Sequence, residues 1–82
     1  MHNNMDTFII RAYTKKELAQ MYFPTASTPH AAVNHLMAWI KRCSKLYESL
    51  VGIGYMKNAK FFTPREVSLI VEYLGEPAKI YE

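Results

Sequence analysis

From Pro29 onward the apolar residues Val33, Leu36, Met37, Ile40 and Cys43 recur every three or four positions, so the spacing predicts a helix over 29–43 with one buried face. The opposite face carries Ala31, Asn34, His35, Ala38, Lys41, Arg42 and Lys45, and becomes more basic toward its end. Thr28 is a good N-cap, because its hydroxyl can accept from an unpaired amide in the first turn. Pro29 suits the first helical position, where its missing N–H costs nothing. The rest of the chain is read around this central helix, which packs with one face and offers the other to a partner.

Before it, Thr7 to Tyr13 is short and rich in β-branched and aromatic residues, which predicts a strand. Thr14-Lys-Lys-Glu17 is a capping box opening a helix through Tyr22, with Leu18, Ala19 and Tyr22 inward. Pro24 ends that helix, and residues 25–28 make a turn. After the central helix, Ser44 is a candidate cap for a segment over 45–51, stopped by Gly52 and Gly54. Residues 55–62 read as a hairpin turning at Asn58. A second capping box, Thr63-Pro-Arg-Glu66, opens a final helix with Val67, Ile70, Val71 and Leu74 on its core face. Gly75 caps it and Pro77 prevents continuation.

The predicted fold is mainly α with a small β-sheet: a single domain over 7–77, like a winged helix-turn-helix, between a flexible N-terminus, 1–6, and a tail, 78–82. In such a domain the second helix enters the major groove and the hairpin touches flanking phosphates. Asn34 and His35 are then the candidate base readers, while Lys41, Arg42, Lys45, Lys57, Lys60 and Arg65 are the candidate phosphate contacts.

Charge sharpens this picture. The 82 residues carry a net +3, but Lys41, Arg42, Lys45, Lys57, Lys60 and Arg65 against Glu48 give residues 41–65 a balance of +5. Residues 66–82 hold Lys79 against four glutamates, a balance of −3. A basic middle beside an acidic end suggests one face for a polyanion and another turned from it. Half the residues are hydrophobic, so the chain is globular, and no apolar run approaches a membrane span. The N-terminus MHNNMDTF lacks the basic start and apolar stretch of a secretory signal. A lone Cys43 on the apolar face fits a buried thiol in a reducing cytosol, so the expected location is cytoplasmic.

Catalytic and metal chemistry is not expected. His30 and His35 are five residues apart, about 140° around a helix, and do not share an ion easily. Cys43 and His35 lie about 12 Å apart along the helix axis, too far for a nucleophile and its base. With one cysteine there is no zinc-ligand set, and Gly52-Ile-Gly54 ends a helix where a phosphate loop would open one. The expectation is a protein with no enzymatic activity, cofactor, metal or small-molecule substrate.

The chain resembles a family of small proteins from gut-dwelling bacteria, known only as a domain of unknown function. The resemblance runs through Tyr13-Thr14, Glu17-Leu18-Ala19, Tyr22-Phe23-Pro24 and Trp39-Ile40-Lys41, and its most specific parts are Phe62-Thr63-Pro64 and Leu74-Gly75-Glu76-Pro77. It implies a cytoplasmic bacterial protein and no activity. More loosely, Glu17-Leu18-Ala19 and Trp39-Ile40-Lys41 are similar to the first two helices of excisionase-like and MerR-like DNA-binding domains, although the turn here is longer and the basic residues fewer.

The function expected is duplex DNA binding through helix 29–43 and hairpin 55–62, as a small transcriptional regulator or an excisionase-like accessory factor. The alternative is a homodimerisation or protein-interaction module with no nucleic-acid binding. It is motivated by Leu69 and Tyr73, which fall off the core stripe of the last helix and mark a candidate dimer interface.

Overall fold

Two short strands and four helices follow one another in the computed structural model, which describes residues 8–77. They are β1 (Tyr13–Thr14), α1 (Lys15–Tyr22), α2 (Pro29–Arg42), α3 (Ser44–Gly52), β2 (Phe61–Phe62) and α4 (Pro64–Leu74). The fold is mainly α with a small antiparallel sheet, in a winged helix-turn-helix-like arrangement. The expected loose ends, 1–6 and 78–82, lie outside the described residues, as does Thr7.

The helix starts form as their local chemistry dictates. The Thr14 and Thr63 hydroxyls accept from the amides of Glu17 and Glu66, and each glutamate side chain accepts in return from its threonine's amide. Each reciprocal pair satisfies two donors that a helix start leaves orphaned. Thr28 caps α2 by accepting from Ala31 N at 3.0 Å, with Pro29 at the first turn. Cys43 takes non-helical angles (φ −90°, ψ 89°) and separates α2 from α3. Ser44 was the expected cap here, but it is the first residue of α3, and Cys43 stands at the cap position without a side-chain hydrogen bond.

The expected strand 7–13 shortens to Tyr13–Thr14. The reason is local: the Tyr13 hydroxyl donates back to the Ile9 carbonyl at 2.7 Å, and Phe8 stacks on the Tyr13 ring at 5.3 Å. The preceding chain thus wraps around Tyr13 and does not extend the ladder. The hairpin expected over 55–62 is also absent. Phe61–Phe62 pairs with β1, Tyr13 opposite Phe62 and Thr14 opposite Phe61, while 56–59 closes a tight turn, Ala59 N donating to Met56 O. With Phe62 drawn inward to stack on Tyr55 (6.0 Å) and its backbone engaged by β1, nothing is left for Tyr55–Lys57 to pair with. The wing is therefore a loop.

The core is shared by all four helices and both strands: Leu18, Leu36, Ile40, Leu46, Leu50, Phe62, Val67 and Ile70 are fully buried. On α2 the buried stripe is Ala32, Leu36 and Ile40, with Val33, Met37 and Cys43 half-buried, so the inward face is turned by about 40° from the predicted one, toward Ala32. Buried alanines on both partners, Ala19 and Ala32, let α1 and α2 approach closely, and these two helices pack more extensively than any other pair.

Candidate nucleic-acid interface

The loop over 56–60 is held by one side chain. Lys15, first residue of α1, donates its ammonium to the Lys57 carbonyl (2.8 Å) and the Tyr55 hydroxyl (2.9 Å), while its amide donates to the Lys60 carbonyl (2.9 Å). The ammonium also sits over the rings of Tyr55 and Phe62, at 4.9 and 5.7 Å. The Tyr55 hydroxyl in turn reaches the Met37 sulfur of α2 at 3.8 Å. Burial holds the Lys15 ammonium below the ordinary lysine range, with the Glu66 carboxylate pulling the other way. Burial likewise raises the Tyr55 phenol, and Tyr47 and Glu66 add to that while Lys57 opposes it. Lys15 thus fixes the loop against the start of α1 and the flank of α2.

That arrangement brings cations together. A cleft of about 390 Å³ is lined by Lys15, Lys16, His30 and Lys60 with Thr14, Val33 and Ala59, and none of these is acidic. It lies where the starts of α1 and α2 meet the loop, and helix starts carry the positive end of the backbone dipole. From His30 the exposed residues Asn34 and Lys41 follow along α2 within about 40° of one another. The line from His30 to Lys41 is about 16 Å long, the rise of about five base pairs of duplex DNA.

The residues expected from sequence to contact DNA divide between two flanks of α2. Asn34 and Lys41 are exposed on the crest, and Lys57 and Lys60 are exposed on the neighbouring loop. His35 and Arg42, also exposed, lie on the far flank, where His35 meets the Phe23 ring (5.3 Å) and Arg42 borders a groove with Trp39, Cys43, Tyr73 and Leu74. Lys45 is exposed on α3 and Arg65 on α4, away from the cleft's lining. Of the candidate dimer residues, Tyr73 is exposed and Leu69 half-buried against the core.

Sequence reasoning misses Lys15, Lys16 and His30. The available signal was the lysine pair inside the first capping box, but its meaning depends on Lys60, 45 residues beyond Lys15, being paired beside it. Arg11, another cation near β1, is engaged locally: its guanidinium stacks 3.8 Å over the Tyr13 ring and donates to the Ala12 carbonyl. Among the described residues no group of three or more His, Cys, Asp or Glu is placed to hold a metal ion, and no helix is long and apolar enough to cross a membrane.

Residues 9–77 match the family described as Domain of unknown function (DUF4248), and the chain belongs to that family. No curated protein and no solved structure shows a significant match to it.

Proposed function

We infer that the chain binds duplex DNA through phosphate contacts, along the strip from the basic cleft to the crest of α2. The observation that carries this reading is the convergence of Lys15, Lys16, His30 and Lys60 on one cleft in line with Asn34 and Lys41. Lys16, Lys41, Lys57 and Lys60 are the phosphate contacts, and Lys15 supports them by holding the loop. Asn34 lies between the two charged ends, where its amide suits the paired donor and acceptor of an adenine edge. Ala38 keeps the crest low enough for the helix to sit deep in a groove. The acidic residues of α4, Glu66 and Glu72, do not line the cleft. A small regulator or accessory factor working in the cytoplasm fits this reading, as does the single cysteine.

Few cations take part, so affinity falls in the range of non-specific binding, about 10⁻⁴–10⁻⁶ M. Fluorescence anisotropy with labelled duplex, repeated across salt concentrations, tests the reading. Lys41→Ala and Lys60→Ala each lower the salt slope by about 0.9, the value of one phosphate contact, while Arg42→Ala leaves it unchanged. Absence of binding at tens of micromolar protein in about 50 mM salt would defeat the proposal. A second reading, self-association, is favoured by the groove on the other flank of α2.

A further inference from the structure

Among the side chains lining the basic cleft, only the imidazole of His30 is of a type that changes charge between about pH 5 and 8. His30 is the second residue of α2, exposed, two positions after the Thr28 cap. Its ring nitrogens have no hydrogen-bond or ion-pair partner among the described residues. The imidazole is therefore available to whatever enters the cleft.

Every element that meets it there is cationic or neutral. The start of α1 contributes Lys15 and Lys16, the loop before β2 contributes Ala59 and Lys60, β1 contributes Thr14, and α2 itself contributes Val33. Two carboxylates lie on the neighbouring elements, and both are engaged elsewhere. Glu17 accepts from the Thr14 amide, while Glu66 acts on Lys15 and accepts from the Thr63 amide; neither lines the cleft. A charged imidazole thus finds no counter-ion in the lining, and a phosphate seated among the lysines supplies the missing anion. We propose that His30 is a proton-linked phosphate contact, which takes up a proton as the DNA backbone enters the cleft, so that binding tightens as pH falls. This inference rests on the DNA-binding reading and adds to it a sensitivity to acidity.

The sign follows from linkage. The bound protein holds the imidazolium more firmly than the free protein, so affinity is level well above the histidine range and rises as pH falls through it. An opposite charge beside a titrating ring favours its charged form by at least about one pH unit, which corresponds to about a tenfold gain in affinity. The added contact also steepens the salt slope by about 0.9. His35, on the far flank against Phe23, has the same chemistry without the lysines around it and serves as the control.

Anisotropy with labelled duplex at about pH 5.5 and about pH 8, each over a salt series, tests the proposal. Wild type binds about tenfold more tightly at the lower pH, with the steeper slope. His30→Gln gives the same affinity and slope at both values. His30→Arg, permanently charged, is equally insensitive to pH but has the steeper slope at both. His35→Gln keeps the wild-type difference, and unchanged thermal melts confirm the fold of each variant. Wild-type binding that ignores pH overturns the inference and leaves the DNA-binding reading standing. A pH response that persists in His30→Gln, or that His35→Gln abolishes, has the same effect. Absence of binding at both pH values defeats the two together.

Discussion

Tyr22 ties the first helix to the last, and replacing it with phenylalanine isolates one hydroxyl. The ring is buried at the end of α1, and its hydroxyl donates to the Gly75 carbonyl just beyond α4. Tyr22→Phe keeps the ring and loses that bond, whose net value is about 0.5–1.5 kcal/mol. Gly75 is exposed, so water can reach the freed carbonyl, and the cost at neutral pH is about 1 kcal/mol. For a domain of this size that is a fall in melting temperature of roughly 4–8 °C. The alkaline range then reverses the comparison. Burial, helped by the nearby Glu76 carboxylate, raises the Tyr22 phenol well above its ordinary value of 10.0. The folded protein keeps this proton where the unfolded chain releases it, so the stabilisation is complete below the unfolded value and drains away as pH rises above it. One unit above that value the loss reaches about 1.4 kcal/mol for a fully shielded phenol, and water at the rim trims it to about 1. Phenylalanine has no proton to lose, so the two proteins converge near pH 11. Chemical denaturation followed by circular dichroism at pH 7 and at pH 11 measures the gap. If the gap is the same at both values, the assignment of the alkaline loss to Tyr22 fails.

Three further outcomes follow from the core, the caps and the loop. Leu36→Ala removes a fully buried side chain from the centre of α2 and costs about 2–5 kcal/mol; a melting temperature within a degree or two of wild type would contradict the packing described. Thr63→Ala breaks the capping box with the buried Glu66 and costs about 1 kcal/mol, read as a lower urea midpoint with an unchanged slope. Lys15→Met frees the loop over 56–60, so amide exchange there speeds up while the α3 amides keep their protection. Because burial lowers the folded Lys15 value, the unfolded chain binds the extra proton, and wild-type stability gains a rising component as pH approaches 10.5 from below that the variant lacks.

What the sequence made legible is what depends on neighbours. Thr14 with Glu17, Thr28 with Pro29, and Thr63 with Glu66 each act within three residues, and all three helix starts stand where these pairs predict. Leu36, Ile40, Val67 and Ile70 were readable because helical spacing fixes their common face. The failures are non-local. Phe61–Phe62 was expected to pair both with the nearby Tyr55 and with the N-terminal strand, and only the distant partner, Tyr13–Thr14, is taken. On α2 hydrophobicity favoured Val33 over Ala32, whereas a close approach of α1 selects the smaller side chain for the interior. The basic cleft depends on that long-range pairing, which brings Lys60 beside Lys15.

The two-residue ladder has a consequence for the order in which the molecule is made. Its partners, Tyr13 and Phe62, are 49 positions apart, so the sheet encloses α1, α2 and α3 as a single closed loop. During synthesis the first three helices emerge from the ribosome with β1 unpaired, and Lys15 has neither Tyr55 nor the Lys57 carbonyl to hold. Helices stabilised by short-range contacts form early, and the long loop closes only when the last quarter of the chain is present. Phe62 is therefore expected to show a φ-value near zero in refolding, well below that of Leu36; an equally high value at both would mean that the ends meet before the helices assemble. On this order, the loop beside the cleft is the last part of the surface to take shape, and a chain stopped before β2 has the cations of α1 and α2 without the loop lysines beside them.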